Sequence, residues 1–119
     1  MSGARMTDHG DTRRDPHKAV EYILKNAGRF AKAKAERIYL EEFRKSKKAL
    51  LMGQSSAEAA NAREQYAYSH QEYIELLEGL KQAVEIEEKL RWDLIAAQAR
   101  VEIWRTESAN ARNEIRATQ

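Results

Sequence analysis

From Ser69 to the last residue the chain contains no proline, and Gly79 is its one glycine there. Apolar residues recur along this stretch at alternating spacings of three and four. The line runs Tyr73, Leu76, Leu80, Ala83, Glu87, Leu90, Leu94, Ala97, Val101, Trp104, Ser108, Ala111, Ile115, and only Glu87 and Ser108 in it are not apolar. A stripe sustained over more than three heptads marks a coiled-coil helix. Nothing stops that helix before roughly residue 117, so it spans about 47 residues and ~70 Å, against ~11–12 residues for an average helix. Such a rod has no core of its own and must be covered by neighbours. One column of the line, Leu76, Ala83, Leu90, Ala97, Trp104, Ala111, alternates large with small and so permits close, layered approach. Leu77, Val84, Ile86, Trp92, Ile95 and Ile103 lie off the line. The stripe is therefore wider than a two-stranded zipper requires and suits a helix contacted from two sides.

The rest of the chain supplies two further helices. In "DTRRDPHKAVEYILKNAG", Asp15 can cap and Pro16 suits the first helical position. Val20, Ile23, Leu24 and Ala27 then share a face, and the pattern resumes with Ala31, Ala35, Ile38, Tyr39, Phe43 and Leu50. Gly28 can end a helix or be tolerated inside one at ~1 kcal/mol; with no second breaker beside it, continuity is the expectation. Gly53 is expected to close this helix, with Lys47 and Lys48 near its C-terminus. Ser55 with Glu58, and Ser69 with Glu72, have capping-box spacing. They predict a short alanine-rich helix to about Tyr68, then the long helix.

Lengths decide what covers what. Folded back antiparallel, the 24 residues from 29 to 52 cover roughly 71–94, and an unbroken helix from Pro16 extends cover to about 107. The end bearing Trp104 and Ile115 then lacks an intrachain partner. Burying such side chains is worth ~1.5–3 kcal/mol each, so a second copy is the simplest cover, most often about a two-fold axis. Leu94, Val101, Trp104, Ile115 and Trp92 are the residues expected to carry self-association into a homodimer or larger homo-oligomer.

Composition narrows the classes. Of 119 residues, 34% are charged and one is proline, a long-helix profile. There is no cysteine, hence no disulfide framework or thiol nucleophile, which fits a reducing compartment. No apolar run approaches the ~20 residues of a membrane span. "MSGARMTDHGDTRRD" lacks the apolar middle of a signal peptide, and residues 1–14 are expected to be a flexible tail ahead of a single helical domain over 15–119.

Charge is unevenly placed, with 13 Lys and Arg against 7 Asp and Glu in residues 1–52, and 8 against 12 in residues 53–119. Arg29, Lys32, Lys34, Arg37, Arg44, Lys45, Lys47 and Lys48 cluster with Phe30, Tyr39 and Phe43 between them. Two readings follow. The set can grip the phosphates and stack the bases of a nucleic acid, or contact an acidic partner. Alternatively it matches the acidic run Glu72, Glu75, Glu78, Glu85, Glu87, Glu88 across an antiparallel hairpin, with the aromatic residues packed as core. Arg100, Arg105, Arg112 and Arg116 are diluted by Glu102, Glu107 and Glu114 and read as solvated helix-surface pairs.

Catalytic and metal chemistry find no foothold. His17 and Glu21 are four apart, but two ligands do not make a metal site. His9 and His70 add nothing to them. Adjacent carboxylates such as Glu41–Glu42 point to different sides of a helix and stay ionised. No glycine-rich phosphate loop, zincin motif or serine elbow occurs. Glu87 stands apart, because a carboxylate on an apolar seam needs Arg91, Lys81 or a cation from another helix. Its expected role is to fix register. The reading is non-enzymatic, with no cofactor and no metal.

The segments "KAKAERIYLEEFRKSKKALLM" and "QEYIELLEGLKQAVEIEEKLRWDLIAAQARVEIWRTESANARNE" resemble a group of small helical proteins encoded by bacteriophages and prophages. The resemblance covers residues 32–52 and 71–114. Genes of that group often lie near phage recombination and replication genes, and no established activity attaches to it. The resemblance implies an accessory role in the cytoplasm of a bacterial host, through protein contacts in DNA recombination, replication or evasion of host defence. It transfers no catalytic residue. The fold expected is all-α: a long antiparallel helical hairpin or small bundle with coiled-coil character, oligomeric, and without a membrane partner.

Overall fold

The computed structural model describes residues 15–118; the expected tail over 1–14 lies outside them. The fold is all-α, a helical hairpin of coiled-coil character. Among the described residues there are three helices and no strand: α1 (Pro16–Gln54), α2 (Ala60–Ser69) and α3 (Gln71–Thr118). The start of α1 follows from its sequence. Asp15 accepts a hydrogen bond from the His17 amide at 2.9 Å on its side chain, and its carbonyl accepts one from the Ala19 amide, while Pro16 has no amide hydrogen to satisfy. Gly28 does not interrupt α1, as its isolation suggested.

Three punctuation signals act differently from expectation. Gly53 does not adopt a left-handed conformation, and α1 runs one residue past it. Ser55 Oγ accepts from the Ala57 amide at 3.2 Å and so shapes a turn two residues ahead, and α2 begins only at Ala60 with no side-chain cap. Ser69 does not cap α3 either. Its hydroxyl donates back to the Gln65 and Tyr66 carbonyls and belongs to the end of α2, while His70 Nδ1 accepts from the Glu72 amide and takes the capping position. Serine serves both roles, because its hydroxyl can bond the preceding turn as readily as the following amide.

The described residues divide into two compact units. One joins α1 up to Arg29 with α3 from Leu90 onward; the other comprises Phe30–Lys89. In the Phe30–Lys89 unit α1 and α3 run antiparallel, since Arg37 meets Glu87 while Lys47 meets Glu72. The turn between the helices is closed by a small core of Leu51, Ala67 and Tyr73, with Met52 packed against it. On the α3 side of this unit Tyr73, Leu76, Leu80, Ala83 and Glu87 are all buried or half-buried, as the heptad line requires.

In the other unit the same line continues through Leu90, Leu94, Ala97 and Val101, each buried or half-buried. Ala97 is fully buried, as is Ala19 of α1. Cover then fails for a geometric reason. α1 contributes only residues 16–29 here, about 20 Å of helix, whereas α3 contributes 90–118, about twice that length. Past Val101, Trp104, Ala111 and Ile115 are exposed and Ser108 is half-buried.

The α1 side corrects the sequence reading. Of the ten residues expected on the inner face, Val20, Leu24, Ala27, Ala31, Ala35, Ile38, Tyr39 and Leu50 are exposed, and Ile23 and Phe43 are half-buried. The inner face is rotated by about one residue. It consists of Ala19, Ile23 and Asn26 in one unit and Phe30, Ala33, Arg37, Leu40, Lys47 and Leu51 in the other. Two causes are visible. Alanines at 19 and 33 let the helices approach, and the polar residues of this face bring their own partners. Asn26 donates to the Tyr22 carbonyl at 2.9 Å and accepts from Arg29, and Arg37 pairs with Glu87. Polar residues that are satisfied in this way do not look like core in a hydropathy pattern.

The small layers carry a prediction. Ala97→Leu should overpack a fully buried site and cost about 1–3 kcal/mol. Ala99→Leu, on an exposed position two residues on, should change stability by less than about 0.5 kcal/mol. Urea unfolding of the two variants checks this, with equal midpoints as the contrary result.

Candidate interaction surfaces

The charged residues of the Phe30–Lys89 unit form two populations. Arg37 and Glu87 make a forked pair, Nε to Oε2 at 2.6 Å and Nη2 to Oε1 at 2.8 Å, with Arg37 Nη1 also reaching Glu41 at 3.3 Å. Glu87 is buried. The hydrogen bonds and negative charge of Glu87 hold the Arg37 guanidinium further into its protonated range than an isolated arginine. This is the arrangement that tolerates a carboxylate on an apolar seam, because both oxygens are bonded and the charge is matched.

The remaining pairs are looser, one made by Lys47 of the inner face and the others at the rim. Lys45 meets Glu42 at 3.3 Å, Lys47 meets Glu72 at 3.4 Å and Lys48 meets Glu64 at 3.4 Å. Exposed pairs of this type are worth ~0–1 kcal/mol. Of the eight basic residues singled out from sequence, Arg37, Lys45, Lys47 and Lys48 thus engage carboxylates, and Arg29 contacts Asn26. Lys32, Lys34 and Arg44 are exposed. Phe30 and Phe43 are half-buried, but Tyr39 stands in solvent, stacked on Phe43 with ring centroids 5.8 Å apart. The expectation that all three aromatic residues pack inward fails for Tyr39.

The residues expected to carry self-association lie in the unit that contains α3 from Leu90 onward. Leu94 and Val101 are half-buried. Trp104 is 44% exposed, Ile115 58% and Trp92 58%, with the Arg91 guanidinium 4.9 Å from the Trp92 ring. On α1 of the same unit Leu24 is 75% exposed, and Val20 is exposed beside it. In the Phe30–Lys89 unit Ile38, Ile74, Leu77, Val84 and Ile86 are exposed. The off-seam residues of α3 are therefore all exposed, Ile86, Trp92 and Ile103 by more than half. Isolated exposed apolar residues are ordinary, but helical rows that include two tryptophans are not.

Among the described residues no three His, Asp or Glu side chains gather to hold a metal ion, and no helix is long and apolar enough to cross a membrane. No family model, curated protein or solved structure matches this chain.

The two charge populations should separate on mutation. Glu87→Ala should lower the urea midpoint clearly more than Glu42→Ala. Arg37→Lys should lower it as well, since an ammonium cannot reproduce the fork. Double-mutant coupling for Lys45–Glu42 should stay within about 0.2–1 kcal/mol. A coupling for Arg37–Glu87 no larger than that would contradict the assignment.

Proposed function

We propose that this protein is a non-enzymatic helical interaction protein that works as a homodimer or larger homo-oligomer and presents a helical surface to a protein partner. The observation that carries the reading is two sets of large apolar side chains exposed on α3: Trp104 and Ile115 on the seam beyond Val101, and Trp92 and Ile103 off it. A helix built to work alone would place charges there. Contact from a second side, as in a bundle assembled from two hairpins, covers such rows. The resemblance to phage-encoded helical proteins supports an accessory role in the bacterial cytoplasm, in phage DNA recombination, replication or evasion of host defence.

Sedimentation equilibrium is expected to give a mass of at least two copies of the 13.7 kDa chain. That mass should be insensitive to salt, because the contact is apolar. Trp104→Glu combined with Ile115→Glu should return the mass to one copy while helical circular dichroism is retained. A single-copy mass for the unmodified chain at high micromolar concentration contradicts the self-association. Measured turnover of any substrate that is abolished by Glu87→Gln would contradict the non-enzymatic reading.

A further inference from the structure

Three helices of the Phe30–Lys89 unit converge on a cleft lined by Arg44, Lys45 and Lys48 of α1, Tyr68 of α2 and Tyr73 of α3. We infer that this cleft binds a single nucleic-acid strand, successive backbone phosphates against the three cations and a base against the Tyr68 ring. The site goes beyond self-association and shares no residue with it.

The chemistry of each group points the same way. Among the described residues nothing hydrogen-bonds or pairs with the Arg44 guanidinium, so its fork is available to a phosphate, whose oxygens match it two at a time. The carboxylate contacts of Lys45 and Lys48, to Glu42 at 3.3 Å and Glu64 at 3.4 Å, are loose, and a strand that presents several phosphates in a row can displace them. The Lys48 ammonium sits 4.8 Å above the Tyr68 ring. Tyr68, with Glu64 adding to it, keeps that ammonium above the ordinary lysine value.

Tyr68 is exposed, whereas Tyr73 is buried and supports it edge-on at 5.4 Å. When a phosphate draws Lys48 off the ring, the freed face can stack a base. Cations beside an aromatic platform are the pattern by which single strands are held without reading sequence. A duplex cannot use it, because its bases are already stacked. Lys32 and Lys34 lie outside the cleft and serve as controls.

Fluorescence anisotropy of a labelled oligothymidylate strand with the full chain tests the inference. Binding should be measurable at 50 mM salt. Its log affinity should fall with log salt at a slope of about −2, roughly −0.7 for each of three phosphate contacts. Arg44→Gln should flatten that slope by about 0.7. Tyr68→Ala should weaken binding about tenfold without changing the slope, and Tyr68→Phe should retain it, as stacking requires. Lys32→Gln with Lys34→Gln should leave affinity within about twofold. Circular dichroism and sedimentation mass of each variant separate loss of the site from loss of fold or of self-association. No binding at 50 mM salt, equal affinity for blunt duplex, equal loss from the Lys32 and Lys34 changes, or tighter binding of a poly-glutamate peptide would each overturn it.

Discussion

A carboxylate can sit inside a helical seam only where a cation reaches it, and the Arg37–Glu87 fork is the contact on which the pairing of α1 with α3 turns. Sliding one helix by a residue would strand both charges in apolar surroundings, at a cost larger than any single apolar contact could return. The pair also chooses the face. α1 has an apolar row one residue ahead of its inner row, and that competing row, Ile38 included, would pack well by hydropathy alone. It cannot answer Glu87. The inner row is set by charge and by small side chains, which leaves the more hydrophobic row outside.

That choice has a consequence for association. A helix spends one side on its hairpin partner, and here each helix keeps a second apolar side in reserve. In the unit with Leu90 onward, the shortage of α1 adds bare seam to bare flank. The Phe30–Lys89 unit shows the same economy in a different form, with a tight buried pair for structure and loose rim pairs whose lysines remain exchangeable. The two sets of charges differ in how completely each is bonded.

Much of α3 was legible because its signal is periodic and apolar. The line from Tyr73 to Val101 is the line the fold buries, its failure near Trp104 follows from helix lengths, and Glu87 announced its need for a cation. The inner face of α1 was not legible, since Asn26, Arg37 and Lys47 occupy seam positions and their partners are tertiary. The serine signals misled for a related reason. Ser55 and Ser69 have capping chemistry, but which neighbouring backbone group each one bonds depends on where the chain goes next. The cleft at Tyr68 was half visible: its cations stood out, while Tyr68 and Tyr73 gave no sign of it, because only the fold brings α2 and α3 against Arg44.

The claim that the second sides of these helices are covered by another copy is tested most directly by the two tryptophans, which report their own solvation. Emission and acrylamide quenching of Trp92 and Trp104 should be followed while the protein is diluted from high micromolar to nanomolar concentration. The account predicts blue-shifted, protected indoles at the high end, with a concerted shift to water-exposed emission on dilution. Indoles quenched as freely as a short tryptophan peptide at every concentration would contradict it.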